Sequence, residues 1–91
     1  MKFKRVEDLK EYLMEQCFAD TVVLECPSYI SAVIGISTDG RLIYSRDLMV
    51  RYLCKKDGMT ELDAEEFIDF NTVGALPNMG EKAPIIMEGF E

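Results

Sequence analysis

The stretch "STDGRLIYSRDLMVRYL", residues 37–53, decides the fold, because it joins a turn, a strand and the start of a helix without a gap. Asp39-Gly40 is the dipeptide that suits a two-residue type I′ hairpin turn, in which both central residues take positive φ. Such a loop pairs Thr38 with Arg41, Ile36 with Ile43 and Gly35 with Tyr44. Ser45 then has the side chain of an N-cap for a helix over residues 46–57. Gly58 stands at the stop position, where a left-handed residue closes a helix.

Upstream, "YISAVIGIS", residues 29–37, alternates with a period of two, as a half-buried strand does. Ile30, Ala32, Ile34 and Ile36 form its expected core face. The hairpin register then gathers Val33, Leu42 and Tyr44 on the second face, with the Tyr44 ring lying over the bare backbone of Gly35. That face is half apolar, so a partner or another part of the chain is expected to cover it. "TVVLE", residues 21–25, reads as a further strand that Pro27 ends, since proline lacks a ladder donor. Over residues 6–19, Val6, Leu9, Leu13 and Cys17 share one side of a helix with Tyr12 beside them, while Glu7, Asp8, Glu11 and Glu15 fall on the other.

Downstream, Leu48, Met49, Val50, Tyr52 and Leu53 spread over half the circumference of the helix that Ser45 opens, leaving Asp47, Arg51 and Lys55 as a polar stripe. Thr60 with Asp63 approximates a capping box and opens another helix, to about residue 72. Ala64, Phe67, Ile68 and Phe70 are its expected buried side, Glu61, Glu65, Glu66 and Asp69 its wet one, and Asn71 a polar residue inside the apolar arc. The tail is punctuated by Gly74, Pro77, Gly80 and Pro84 and ends in a short extended segment, residues 85–87. The order α-β-β-β-α-α-β predicts one α+β domain over residues 1–91, with an antiparallel sheet of three to four strands and about three helices.

At 91 residues, with 48% apolar and 30% charged side chains, the composition is that of a packed protein. Ten Lys and Arg against seventeen Asp and Glu give a net charge of −7, which repels a phosphate backbone and makes nucleic acid an unexpected partner. No apolar run approaches the length of a membrane span. Cys17, Cys26 and Cys54 are odd in number and form no C-x-x-C pair, so neither a disulfide framework nor a zinc site is expected, and three thiols suit the cytoplasm. With no histidine, triads and dyads built on His cannot form within this chain. Neither nucleotide-binding glycine motif occurs, so no cofactor is expected.

Four features compete for a functional reading. The acids Asp57, Glu61, Asp63, Glu65, Glu66 and Asp69 could imitate a phosphate backbone or dock on a basic surface, or simply form a solvated helix face. Cys26 lies at a strand end, but the sequence offers no group to activate it as a nucleophile. Asn71, if buried, must find hydrogen-bond partners in its own fold or in a ligand. Leu76, Met79, Ile85, Ile86, Met87 and Phe90 load the tail with the residue types that contact partners.

"PSY", "AVIG", "DGR-IY", "DGMT", "AEEFID-NT", "ALP" and "API-M" occur in this order between Pro27 and Met87. In this respect the chain resembles a family of small uncharacterised proteins common in prophages and mobile elements of Firmicutes. The resemblance implies a phage or prophage setting. The expected function is therefore a non-enzymatic, acidic protein-binding module, a homodimer or an inhibitor of a host defence or nucleic-acid-handling protein. It would dock through Val33, Leu42 and Tyr44 or through Leu76, Met79, Ile85 and Met87. The alternative is a small enzyme or ligand-binding protein that uses carboxylates or Asn71.

Overall fold

In chain order the elements are helix α1 (Val6–Glu15), strands β1 (Val33–Ile36) and β2 (Leu42–Ser45), helices α2 (Arg46–Asp57) and α3 (Glu61–Phe67), and strand β3 (Ile85–Met87). A 3-10 turn, Ile30–Ala32, precedes β1; a π-helical turn, Ile68–Thr72, and a 3-10 run, Val73–Met79, follow α3. This computed structural model describes residues 3–25 and 27–89; Cys26 and Phe90, both singled out above, lie outside the described residues. The class is α+β, as the sequence predicts.

The sheet departs from expectation in three ways. It has strand order β1-β2-β3 and is mixed: β1 and β2 are antiparallel, whereas β3 runs parallel to β2, with Ile43 opposite Ile85 and Ser45 opposite Met87. The connection through α2 and α3 carries the chain back to the end from which β2 started, as a parallel neighbour requires. Residues 21–25 form no strand of this sheet; they are held by Val22 N–H to Lys82 C=O (3.4 Å) and Thr21 Oγ1 to Gly40 C=O (2.7 Å). Tyr29, with φ 49°, is left-handed and opens the 3-10 turn Ile30–Ala32, so the strand starts only at Val33.

The third departure decides which side chains are core. Ser37 N–H bonds Arg41 C=O (2.8 Å) and Gly40 N–H bonds Ser37 C=O (3.0 Å), so the loop has three residues, Thr38, Asp39 and Gly40, rather than two. Gly40 carries φ +84°, the left-handed residue that follows a type I turn in a hairpin of this length. The pairing is thereby moved by one residue, to Ile36 with Leu42 and Gly35 with Ile43. A one-residue slip turns a strand over. Leu42 (2% exposed) and Tyr44 (fully buried) face the core, against the expectation that they lie on the second face. A register irregularity between Val33 and Gly35 finishes the rearrangement: Val33 sits opposite Tyr44 and packs on the core, while Ile34, expected inside, is 46% exposed.

Leu42 and Tyr44 meet Leu9 and Leu13 of α1, Leu24, Tyr29, Ala32, and Met49, Val50 and Leu53 of α2 in one apolar cluster, to which Ala64 and Ile68 add the third helix. The Tyr44 hydroxyl accepts the Leu24 N–H (3.2 Å), so the segment 21–25 is tied to the middle strand of the sheet. Burial pushes the Tyr44 hydroxyl up to about 12. The helix signals hold at α2 and α3: Ser45 Oγ accepts Leu48 N–H (3.3 Å), Thr60 Oγ1 accepts Asp63 N–H (3.1 Å), and Gly58 is left-handed at φ 69°.

Helix α1 stops earlier than its periodicity suggests. Phe18 N–H reaches Leu13 C=O (2.7 Å) and Cys17 N–H reaches Met14 C=O (3.2 Å), a Schellman closure with Cys17 at the left-handed position, φ 66°. Cys17 is exposed rather than part of the buried stripe.

Two stability measurements check these assignments. A side chain at a left-handed position is strained, so Cys17→Gly should stabilise by about 0.5–1 kcal/mol and raise Tm by a few degrees, as followed by circular dichroism. Tyr44→Phe leaves the buried Leu24 N–H without its acceptor and should cost about 1–3 kcal/mol in urea unfolding at pH 7. Because the Tyr44 pKa rises on folding from 10.0 to about 12, the wild-type stability from this group is complete below pH 10 and is lost as pH climbs toward 12. The variant should show a shallower alkaline decline.

Candidate functional site

The acidic helix face is partly consumed by the fold. Arg46, at the first position of α2, donates from Nε and Nη2 to Glu65 Oε1 (2.7 Å each) and from Nη2 to Asp69 Oδ1 (2.9 Å), with its side chain only 14% exposed. Burial alone would lower its pKa, but the bonds to the two carboxylates outweigh that and hold it above the ordinary arginine value. Glu65 and Asp69 are therefore a clamp between α2 and the end of α3. Glu61, Asp63 and Glu66 remain exposed. No group of three or more His, Cys, Asp or Glu among the described residues could hold a metal ion.

Asn71 is exposed, not buried, and its Nδ2 donates to Phe67 C=O (3.2 Å). The buried polar residue is its neighbour Thr72 (4% exposed), whose hydroxyl bonds the buried Tyr29 hydroxyl (3.0 Å). The π turn explains the exchange. A π turn closes i→i+5 and so takes one more residue per turn than an α-helix, which moves every following side chain back in phase. Thr72 takes the inward position that an unbroken α-helix gives Asn71. Phe70, expected inside, is 82% exposed, because it lies about 200° around the helix from buried Ile68. Beside them lies a pocket of about 270 Å³ bordered by Glu25, Tyr29, Phe67, Asn71, Thr72 and Met79.

The expected partner-binding residues separate. Leu42 and Tyr44 are interior, while Val33 and Met79 pack half-buried against the core, and Leu76 is half-buried. Ile85 and Met87 lie on β3 with their side chains on the opposite face from Leu42 and Tyr44, level with Ile43 and Ser45. Met87 is 41% exposed and Ile43 and Ile85 are half-buried, so this outer sheet face is the one that stays apolar and open.

Two apolar surfaces escape a reading by periodicity. Leu62 (69% exposed), Phe70 and Val73 (36% exposed) stand on the outer side of α3 and its continuation, among Glu61, Glu66 and Asp69. Leu62 carries a signal of its own, since it sits in the acidic arc and away from Ala64 and Ile68. A groove of about 210 Å³ lies between α1 and β1, with Leu9, Tyr12, Leu13, Val33, Ile34 and Phe3 on its walls. Its signal is absent from the sequence because it depends on the irregularity at Ile34.

The described residues thus form a small α+β fold with a three-stranded mixed sheet, no buried side-chain polar atom left unpaired among them, and several apolar surfaces beside carboxylates. Compared with protein-family models, curated proteins and solved structures, the chain finds no match in any of the three. No helix among the described residues is long and apolar enough to cross a membrane.

The interior hydroxyl pair and the exposed amide predict opposite outcomes for adjacent substitutions. Thr72→Val should cost about 1–2 kcal/mol by stranding the Tyr29 hydroxyl. Asn71→Ala should stay within about 0.5 kcal/mol of wild type. Parallel chemical denaturation of the two variants distinguishes this arrangement from one in which Asn71 is the structural residue.

Proposed function

We propose that this chain is a non-enzymatic, acidic protein-binding module that works in a phage or prophage setting as an inhibitor of a host defence or nucleic-acid-handling protein. The observation that carries the binding role is the exposure of Phe70 (82%) and Leu62 (69%) on one helical side, bordered by Glu61, Glu66 and Asp69. Large apolar side chains ringed by charge are the composition of docking surfaces, where one or two aromatic or aliphatic anchors supply most of the affinity. An isolated domain gains nothing from leaving a phenylalanine in water. The net charge of −7 favours a basic partner and disfavours direct contact with nucleic acid. The phage setting and the inhibitory role rest on the resemblance of residues 27–87.

The alternative, a small-molecule site, draws on the pocket beside Glu25, Asn71 and Thr72, where two hydroxyls, an amide and a carboxylate adjoin Phe67 and Met79. A mixed polar and apolar lining of this kind orients small ligands. Several of its polar groups are, however, already engaged: the Thr72 hydroxyl with that of Tyr29, Asn71 Nδ2 with Phe67 C=O, and the Glu25 carboxylate with Lys10.

The binding reading is tested by cross-linked capture from host-cell extract, with the Leu62→Ser, Phe70→Ser double variant as the comparison at matched Tm. A specific protein held by the wild type and released by the variant supports it. Equal capture by both moves the contact off α3, and an inert monomer that retains nothing overturns the reading.

A further inference from the structure

Among the described residues, strand β1 is an outer strand of the sheet, paired with β2 on one side only. Antiparallel pairs alternate between bonded and non-bonded. Since Ser37 and Arg41 are a bonded pair, the next pair, Ile36 with Leu42, is non-bonded, and the Ile36 N–H and C=O point to the outer edge. At Gly35 an added Cβ would meet nothing within 4 Å, so the sheet face beside this edge is uncovered at this point. Helix α1 runs beside this edge and closes the 210 Å³ groove, with Leu9 and Leu13 buried in its floor and the rings of Phe3 and Tyr12 together at 5.5 Å.

An outer strand invites pairing unless charge, proline, shortness or a bulge blunts it. Here β1 is four residues long and irregular at Ile34, which limits open-ended sheet growth. Residues 28–38 nevertheless hold no charged residue and no proline, so neither charge nor proline within the strand guards the edge against a single added segment.

Charge selects the occupant. On α1, Tyr12 is flanked by Asp8 four residues before it and Glu15 three residues after it, with Glu11 adjacent. Arg5 engages Asp8 (3.0 Å), and neither Glu11 nor Glu15 makes an ion pair among the described residues. A second copy of the chain would bring another −7 and the same acidic helix to the edge. A segment with lysine or arginine beside α1 meets complementary charge instead.

We propose that the groove between α1 and β1 binds an extended segment of another protein, alternating apolar and basic side chains, as an added strand on β1. The backbone groups of Ile36 bond the segment, its apolar side chains fill the groove against Tyr12 and Ile34, and its basic ones meet Glu11 and Glu15. The inference rests on the protein-binding reading and names where and what the module binds.

Selection of a phage-displayed random decapeptide library on the immobilised protein tests it. Expected winners alternate apolar residues with Lys or Arg, weaken as salt is raised, and shift the amide resonances of residues 34–36 in a titration of the labelled protein. Ile34→Lys, a change at an exposed position, should weaken the selected peptide about tenfold or more by blocking the groove and repelling its charge, while Phe70→Ser leaves it unchanged. Winners that map to Leu62 and Phe70 overturn the groove and leave the binding-module reading standing. A dimer in sedimentation that Ile34→Lys dissociates makes a second copy the occupant and overturns the choice of peptide. No enriched sequence overturns the peptide site.

Discussion

Everything inside this molecule depends on the length of one hairpin loop. Had Asp39 and Gly40 formed the two-residue turn, Ile43 would face inward and Leu42 and Tyr44 outward. The left-handed Gly40 instead completes a three-residue loop, and the setting around it leaves little room for change: a Cβ at Gly40 would lie 3.2 Å from Lys82 Nζ and 3.4 Å from the Phe18 ring. Thr21, Lys82 and Arg41 then fasten the loop to its surroundings, Thr21 on Gly40 C=O, Lys82 on Asp39 C=O and Arg41 on Ala83 C=O. Two distant segments therefore converge on the turn. The same turn that sets the register also sets where residues 18–21 and 82–83 can lie, and through Tyr44 it positions Leu24.

A second constraint of the same kind operates at the end of α3. The π turn adds one residue to the helical circuit, and the interior hydroxyl pair of Tyr29 and Thr72 compensates by giving the widened turn a specific partner. Tyr29 sustains a left-handed backbone at this point, which costs about 1–2 kcal/mol for a residue with a Cβ. Its ring is fully buried and packs at 5.6 Å against Tyr52, so burial and the hydrogen bond together oppose that cost. Phe70 stands about 200° around the helix from buried Ile68 and so faces outward whether or not the turn is widened.

The elements with local physical signals were legible in the sequence: the caps at Ser45 and Thr60, the left-handed Gly58, the stripe of Leu9 and Leu13, and the short strand after Pro84. What escaped depends on the insertion or omission of a single residue. The loop gained one at the turn, β1 gained one at Ile34, and the helix gained one between Ile68 and Thr72. Apolar periodicity reports phase only while the backbone stays regular, and each of these features resets it. Cys17 and Tyr29 escaped because neither is a residue type that marks a left-handed position. The parallel placement of β3 has no local signal, since it follows from how α2 and α3 return the chain. The candidate site was legible only in its chemistry: apolar tail residues and acids were recognised, but their distribution between interior and surface followed the inserted residues.

Charge organises what remains outside. Arg46 satisfies Glu65 and Asp69 at the junction of two helices, so these carboxylates hold α3 against α2 and contribute less to the field in solution. Among the described residues, the acids without an ion pair include Glu11 and Glu15 on α1 near Tyr12 and Glu61, Asp63 and Glu66 on α3 near Leu62 and Phe70. Both are places where apolar side chains also reach the surface. Carboxylates beside an apolar anchor resist association with another acidic surface, including a second copy of this chain, and gain when a basic partner replaces their hydration. The same arrangement keeps the exposed apolar groups soluble and restricts which partner can cover them.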